Sequence, residues 1–231
     1  MRALLRARGR KLLRLSIVIP ALNASATIGP CLAALGGADE IIVVDGESTD
    51  DTAQIASQAG AKIITAKRGR GSQLRAGAGV ASGDWLLFLH ADTRLGDGWR
   101  SAVAAHLAAA PDHAGYFKLA LDDQAWQARL IERGVGIRVC LLALPYGDQG
   151  LLISRRLYCG FGGFRPLALM EDVDLARRIG RHRLRRLDAT ALTSAERWRR
   201  DGWLRRSARN LACLTLYTIG VSPARLARLY R

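Results

Sequence analysis

A chain of 231 residues can bury a sizeable core, and an apolar share of 49% excludes a disordered polypeptide. The charge is lopsided: 35 Lys and Arg against 20 Asp and Glu leave +15, which favours phosphorylated substrates, polyanions or an anionic membrane surface. Cys31, Cys140, Cys159 and Cys213 stand far apart with no metal-ligand spacing, so the expectation is reduced, buried thiols in a cytoplasmic protein without a secretory signal or membrane-spanning helix.

Arg2, Arg6, Arg8, Arg10, Lys11 and Arg14 form a basic N-terminal arm over residues 1–14, with no acid among them. Leu15 to Pro20 is β-branched and closed by proline, a first strand. Helical spacing follows from Ala24 to Leu35, stopped by Gly36-Gly37. Glu40 to Asp45 is a second buried strand ending in a carboxylate, and Ser48-Thr49-Asp50-Asp51 offers caps for a helix running to about Ala59. Ala61 to Ala66 predicts a third strand, Lys67 to Gly71 a basic loop, and Ser72 to Ala81 a helix of small residues. Three strand–helix alternations predict a right-handed, mostly parallel α/β sheet.

Trp85 to Leu89 is an apolar run of the kind buried on both faces, and it ends abruptly in His90-Ala91-Asp92-Thr93. On that stretch alone Asp92 reads equally as the cap of a helix starting near Gly96 or as a ligand group at a strand's carboxyl end. Beyond it a helix is expected over Gly98 to Ala110, a strand over Gly115 to Leu121, and a long apolar helix over Gln124 to Leu142. A polar turn, Pro145 to Gly150, leads to a short strand at Leu151 to Ser154. Met170-Glu171-Asp172-Val173-Asp174-Leu175 opens a helix ending near Gly180, Arg183 to Leu187 reads as an edge strand, and the chain is helical from Arg200 with a break at Ser222-Pro223.

Polar clusters therefore recur at strand ends and loops: Asp45, His90 with Asp92, Asp148-Gln149, and Glu171-Asp172. A carboxylate after the second strand can accept hydrogen bonds from a base or ribose. One after the fourth strand can hold a divalent cation, since Mg²⁺ typically takes one or two carboxylates plus phosphates and waters. An acid at a helix start across the cleft can act as general base. The loop Gly69-Arg70-Gly71-Ser72-Gln73 precedes a helix as phosphate-binding loops do, but Leu74 occupies the sixth position where a dinucleotide fingerprint needs glycine. Arg68, Arg70 or Gln73 facing a donor and a merely solvated loop remain equal readings.

The segments Ser16 to Asn23, Ile42 to Thr52, Leu86 to Asp92 and Met170 to Leu175 together resemble a family 2 glycosyltransferase of the GT-A fold, over about residues 15 to 225. Within that family the chain is similar to a small bacterial branch marked by Phe88-Leu89-His90-Ala91-Asp92-Thr93, whose members are named as radical-SAM, selenodomain or arsenosugar-associated transferases. The resemblance implies a nucleotide-diphosphate-sugar donor, commonly UDP-linked, and an inverting single transfer to a small-molecule or lipid-linked acceptor. It places Pro20, Asn23, Asp45, Gly46 and Ala91 with the nucleotide, Mn²⁺ or Mg²⁺ on Asp92, and catalysis at Glu171-Asp172 with Asp172 as base. Asp148 and Gln149 fall on the acceptor side. Ala24 stands where many relatives have Glu, and His90 replaces the usual first Asp of the metal motif. His90 then contacts ribose or diphosphate, joins the metal shell, or is structural. Glu196-Arg197-Trp198 is only loosely similar to the Gln-X-X-Arg-Trp motif of processive synthases.

The resulting division is the arm, a glycosyltransferase domain over residues 15–198, and a C-terminal helical extension over 199–231 packed on the domain, on a second subunit of a homodimer, or on the inner face of an anionic membrane. The membrane reading rests on Arg199, Arg200, Arg205, Arg206 and Arg209 alternating with Trp198, Trp203 and Leu204. Two rivals remain. A sugar-1-phosphate nucleotidyltransferase needs a glycine-rich signature after the first strand, where Pro20-Ala21-Leu22-Asn23-Ala24 stands. A basic nucleic-acid-binding protein fits the charge but lacks a base-stacking aromatic cluster, so no nucleic-acid partner is expected.

Overall fold

The structure is a computed structural model describing residues 13–230. The basic arm therefore lies outside the described residues up to residue 12, and Arg14 is tied by its backbone to Asp84 and Trp85. Along the chain run β1 (Leu15–Ala21), α1 (Ser25–Ala33), β2 (Glu40–Asp45), α2 (Thr52–Gln58), β3 (Lys62–Thr65), α3 (Arg70–Val80), β4 (Trp85–Phe88), β5 (Thr93–Leu95) and α4 (Trp99–Ala109). Then come β6 (Ala114–Leu121), α5 (Trp126–Leu142), a 3-10 turn (Gly147–Gln149), β7 (Leu151–Ser154), α6 (Arg155–Gly160), α7 (Glu171–Ile179), β8 (Leu184–Thr193), α8 (Glu196–Asp201), α9 (Trp203–Thr218) and α10 (Pro223–Tyr230).

The eight strands form one sheet in the order β3-β2-β1-β4-β7-β6-β8-β5. From β3 to β4 every pairing is parallel, as the strand–helix alternation predicts; beyond β4 the sheet is mixed, with β7 antiparallel to both neighbours and β5 antiparallel to β8. The segment read as an edge strand at 183–187 is the start of a ten-residue strand inside the sheet, parallel to β6. Asp92 does not cap a helix at Gly96, because Thr93 to Leu95 pairs with β8 as a short strand and α4 starts only at Trp99. Two cysteines, Cys140 and Cys159, are exposed rather than buried; all four are free.

Alternation along β1 sends Ile17 and Ile19 to one face with α1, Trp99 and Val103, and Val18 to the other with α3, α6 and α7. The result is a sheet covered by helices on both faces. Helix α3 lies very close to the strands: a Cβ on Gly77 would sit 2.3 Å from Val18 Cγ1 and 2.8 Å from Val44 Cγ2. The C-terminal helices rest on the domain itself, with Cys213, Leu214 and Leu226 packed against Leu144, Leu169, Met170 and Val173. Trp198 is buried and Trp203 half-buried against Leu119, Leu121 and Ala128, so the tryptophans of the expected interfacial pattern face the protein. Among the described residues no helix is long and apolar enough to cross a membrane.

Because α3 has no room for a methyl at Gly77, Gly77→Ala should destabilise the fold by about 1–3 kcal/mol, the usual cost of overpacking. Urea denaturation checks this, and Val18→Ala in the same chain should return part of the loss.

Candidate active site

The strand order turns back at β1: β2 and β3 lie on one side of it and β4 on the other. Crevices at such switch points, beyond the carboxyl ends of the strands, are where open α/β sheets take ligands. Here the crevice is a cleft of about 520 Å³ lined by Pro20, Asn23, Arg70, Gln73, His90, Ala91 and Asp92, together with Ser194 just after β8 and Arg197 on α8. Asp45 and Gly46 do not line it. Asp45 is buried at the end of β2, where Oδ2 accepts from Ser48 N at 3.0 Å and Oδ1 has no partner.

The cleft wall is held by contacts that join separate loops. Asn23 adopts a left-handed φ of 48°, and its Oδ1 accepts from Thr49 N at 2.9 Å. Asp50 and Thr52 do not serve only their own helix: Ala24 N donates to Thr52 Oγ1 and Ser25 N to Asp50 Oδ2, so the loop after β2 caps α1. Hydrogen bonding from Thr52 and Ser25 holds the Asp50 carboxyl well below its ordinary range. Gln73 Nε2 donates to Ala21 O at 2.8 Å and Val44 O at 2.7 Å, stitching the ends of β1 and β2 to α3.

A second, smaller cavity of about 100 Å³ adjoins the cleft and shares Arg70, His90, Asp92, Ser194 and Arg197 with it. Its own walls add Asp148 and Asp172, then Arg206, Asn210 and Tyr230 from the C-terminal helices. Asp172 is fixed at both oxygens: Gly147 N donates to Oδ2 at 2.9 Å and Val173 N to Oδ1 at 2.7 Å. Gly147 is forced by this approach, since a Cβ there would lie 2.3 Å from His90 Nε2. Met170, just before the Glu171-Asp172 pair, also takes a left-handed φ of 66°, the backbone strain typical of functional loops.

The neighbouring acid has a different task. Glu171 is 1% exposed, faces inward, and pairs with Arg70 Nε at 3.1 Å. Burial pushes its carboxyl up while Arg70 opposes that, and the pair raises the Arg70 guanidinium in turn. Arg70 Nη1 lies 3.4 Å from His90 Nε2, which must act as acceptor because a guanidinium has only donors. Burial and the Arg70 charge push His90 down to about 3, so it is neutral. Gln149 is also occupied internally, donating to Phe117 O at 3.1 Å and accepting from Arg138 at 3.3 Å.

A divalent cation finds one well-placed group. Among the described residues no three His, Cys, Asp or Glu side chains gather into a metal-binding cluster. Asp92, however, has a buried Oδ1 without a partner, and its Oδ2 is 3.9 Å from Arg197. A hard cation held by one carboxylate completes its shell with phosphate and water. Asp92 therefore fits a cation shared with a diphosphate, and does not fit one caged by protein. His90 Nε2 is already engaged by Arg70.

Sequence reasoning missed Arg206, Asn210 and Tyr230, which lie more than thirty residues beyond the acidic pair; Arg197 carried a faint signal in its loose motif. Asp148 generates a pH prediction. Its carboxyl is raised to about 6, chiefly by burial and also by Asp172 and Asp92, against the pull of Arg138. The native state then holds this proton more tightly than the unfolded chain, so stability falls as pH rises from about 4 to about 6 and levels off above. Asp148→Asn should flatten that slope and raise stability at pH 7 by up to about 3 kcal/mol, read from denaturant midpoints without added metal.

The profile of Glycosyl transferase family 2 matches residues 16–135. A PGL/p-HBAD biosynthesis glycosyltransferase of Mycobacterium bovis is 37% identical over 91 residues, covering 35% of this chain and 36% of that protein. An uncharacterized glycosyltransferase of Mycobacterium tuberculosis is 33% identical over 93 residues, 40% and 43% of the two chains. The match thus spans well under half the length of these curated relatives. Glucosyl-3-phosphoglycerate synthase from Mycobacterium tuberculosis, solved with Mn²⁺, UDP and glucosyl-3-phosphoglycerate, superposes with a TM-score of 0.55 at 22% identity, over 79% of this chain and 70% of that one. TarS 1-349 from S. aureus with UDP-GlcNAc gives 0.62 at 15% identity, over 94% and 70%. The α/β architecture is the GT-A fold of these structures, and the chain belongs to glycosyl transferase family 2.

Proposed function

We propose that the chain transfers one sugar from a nucleotide-diphosphate sugar, UDP-linked as in the solved neighbours, to an acceptor hydroxyl with inversion. One observation carries this reading: the cleft and the smaller cavity meet at Arg70, His90, Asp92 and Arg197, while Asp172 lines the smaller cavity and not the cleft. A donor lying in the cleft brings its diphosphate and anomeric carbon to that shared wall, and an acceptor in the cavity meets Asp172 from the opposite side.

Asp172 takes the proton of the acceptor hydroxyl, whose oxygen bonds to the anomeric carbon as the bond to the diphosphate oxygen breaks. The electron pair of that broken bond leaves with the nucleotide. Gly147 and Val173 keep the Asp172 carboxylate oriented for this step. Arg70 and Arg197 face the departing charge, with Glu171 holding Arg70 in place. Asp92 would hold the Mn²⁺ or Mg²⁺, which when bound neutralises charge on the leaving diphosphate as a Lewis acid. Asp148 borders the acceptor, whereas Gln149 and Gln73 position backbone.

A lipid-linked acceptor would bring the C-terminal helices against an anionic membrane surface. Leu204, Leu211 and Leu229 are exposed on helices that carry no acid after Asp201.

Asp172→Asn should lower transfer by about 10²–10⁴-fold, the usual contribution of a positioned base, while nucleotide-sugar binding by calorimetry stays within about twofold. Retained turnover would remove Asp172 from this role. Asp92→Asn should abolish any Mn²⁺-dependent thermal shift seen with the nucleotide sugar; a metal effect undiminished in that variant would place the cation elsewhere.

A further inference from the structure

One wall of the smaller cavity is explained by neither donor nor base. Helices α9 and α10 build it with Arg206, Asn210 and Tyr230. Arg206 is only 6% exposed, yet its Nε is buried without a hydrogen-bond partner. Its Nη1 donates to Asp201 at 2.8 Å, its Nη2 to the Tyr230 hydroxyl at 3.3 Å, and the Tyr230 hydroxyl donates to Asn210 Oδ1 at 3.0 Å. The guanidinium carbon also lies 5.1 Å from the centroid of the Trp198 ring, within cation–π range.

The charges here do not balance. Asp201 is the shared partner of Arg200, Arg206 and Arg209, three cations on one carboxylate. A buried cation with an unsatisfied donor is costly unless a ligand supplies an acceptor. The same cavity is lined by Asp148 and Asp172, which repel an anion but accept from a hydroxyl. The cavity thus carries both signs, with Arg206 from the C-terminal helices and Asp148 and Asp172 among its lining beside Arg70, Arg197 and Asp92 shared with the cleft. At about 100 Å³ it is well below the size of a drug-sized ligand site.

We propose that Arg206, with Tyr230 and Asn210, is an acceptor-anchoring subsite that holds the phosphate or carboxylate of a small hydroxylated anion whose hydroxyl lies at Asp172. The inference rests on the transferase reading above. It names the acceptor's chemistry: a compact molecule, or the head group of a longer one, with an anion at one end and a free hydroxyl at the other.

The matched probes are glycerol phosphate and glycerol, titrated calorimetrically into the full chain saturated with UDP. Glycerol phosphate should bind at least about tenfold tighter than glycerol, the size expected for a charge-assisted contact. Arg206→Met should erase that preference with UDP affinity unchanged, and Arg206→Lys should keep part of it. Should Arg206→Met fail to fold by circular dichroism, Tyr230→Phe and Asn210→Leu carry the test, each weakening glycerol phosphate several-fold. Competition by phosphatidylglycerol vesicles, but not phosphatidylcholine vesicles, assigns the anion to a lipid head group; no competition assigns it to a free acceptor, and either supports the subsite. Equal binding of the two probes, or an undiminished preference in the folded variants, overturns the subsite while leaving the transferase reading. Failure of the wild-type chain to bind UDP or any nucleotide sugar overturns both.

Discussion

The ion pair between Glu171 and Arg70 is the contact on which the candidate site turns. It joins the first residue of α7 to the first residue of α3, two helices on the same face of the sheet. A buried carboxylate is tolerated only with a partner, and removing Arg70 would leave Glu171 as an unpaired buried acid. The pair therefore fixes Arg70 where it meets His90, and fixes the start of α7 where Asp172 must stand. Adjacent acids in the sequence thus take different tasks, Glu171 buried against Arg70 and Asp172 lining the cavity.

The same economy governs the rest of the charge. Two of the arginines behind the formal surplus are bound internally: Arg155 donates to the carbonyls of Gly83, Ala78 and Ala81, and Arg178 to Asp174 and Gly163. The histidine beside the metal-binding candidate is kept neutral, so it adds no positive charge next to Arg70. What faces the cavities is a small, selected set of groups.

Much of this was legible in the sequence, and the failures share a cause. The strands β1, β2 and β4 announce themselves as apolar runs closed by Pro20, Asp45 and His90, and of the carboxylates at their ends Asp92 lines the cleft while Asp45 lies buried beside it. β5 gives no such signal because three residues have no measurable period. β8 hides its length because exposed Arg185, Arg186 and Asp188 interrupt its apolar pattern. Asp50 reads locally as a cap of its own helix, and only the fold shows it and Thr52 holding α1. Arg206 and Tyr230 were unreadable for a related reason: their neighbourhood is assembled by tertiary packing, and an arginine-rich helix looks the same in sequence whether its cations face water or a ligand.

Gly147 sets a dimension as well as a contact. Its α-carbon has no space for a side chain against His90, and its amide holds Asp172. The histidine of the cleft and the carboxylate of the cavity are consequently separated by the thickness of one bare peptide. Neither can drift without moving the other, so the spacing between the two ligand-facing walls is inherited from backbone geometry and does not depend on side-chain rotamers. A site gauged in this way resists retuning by ordinary substitution at this point. Change in what it accepts is then channelled to the helices on the far wall, which carry no such constraint.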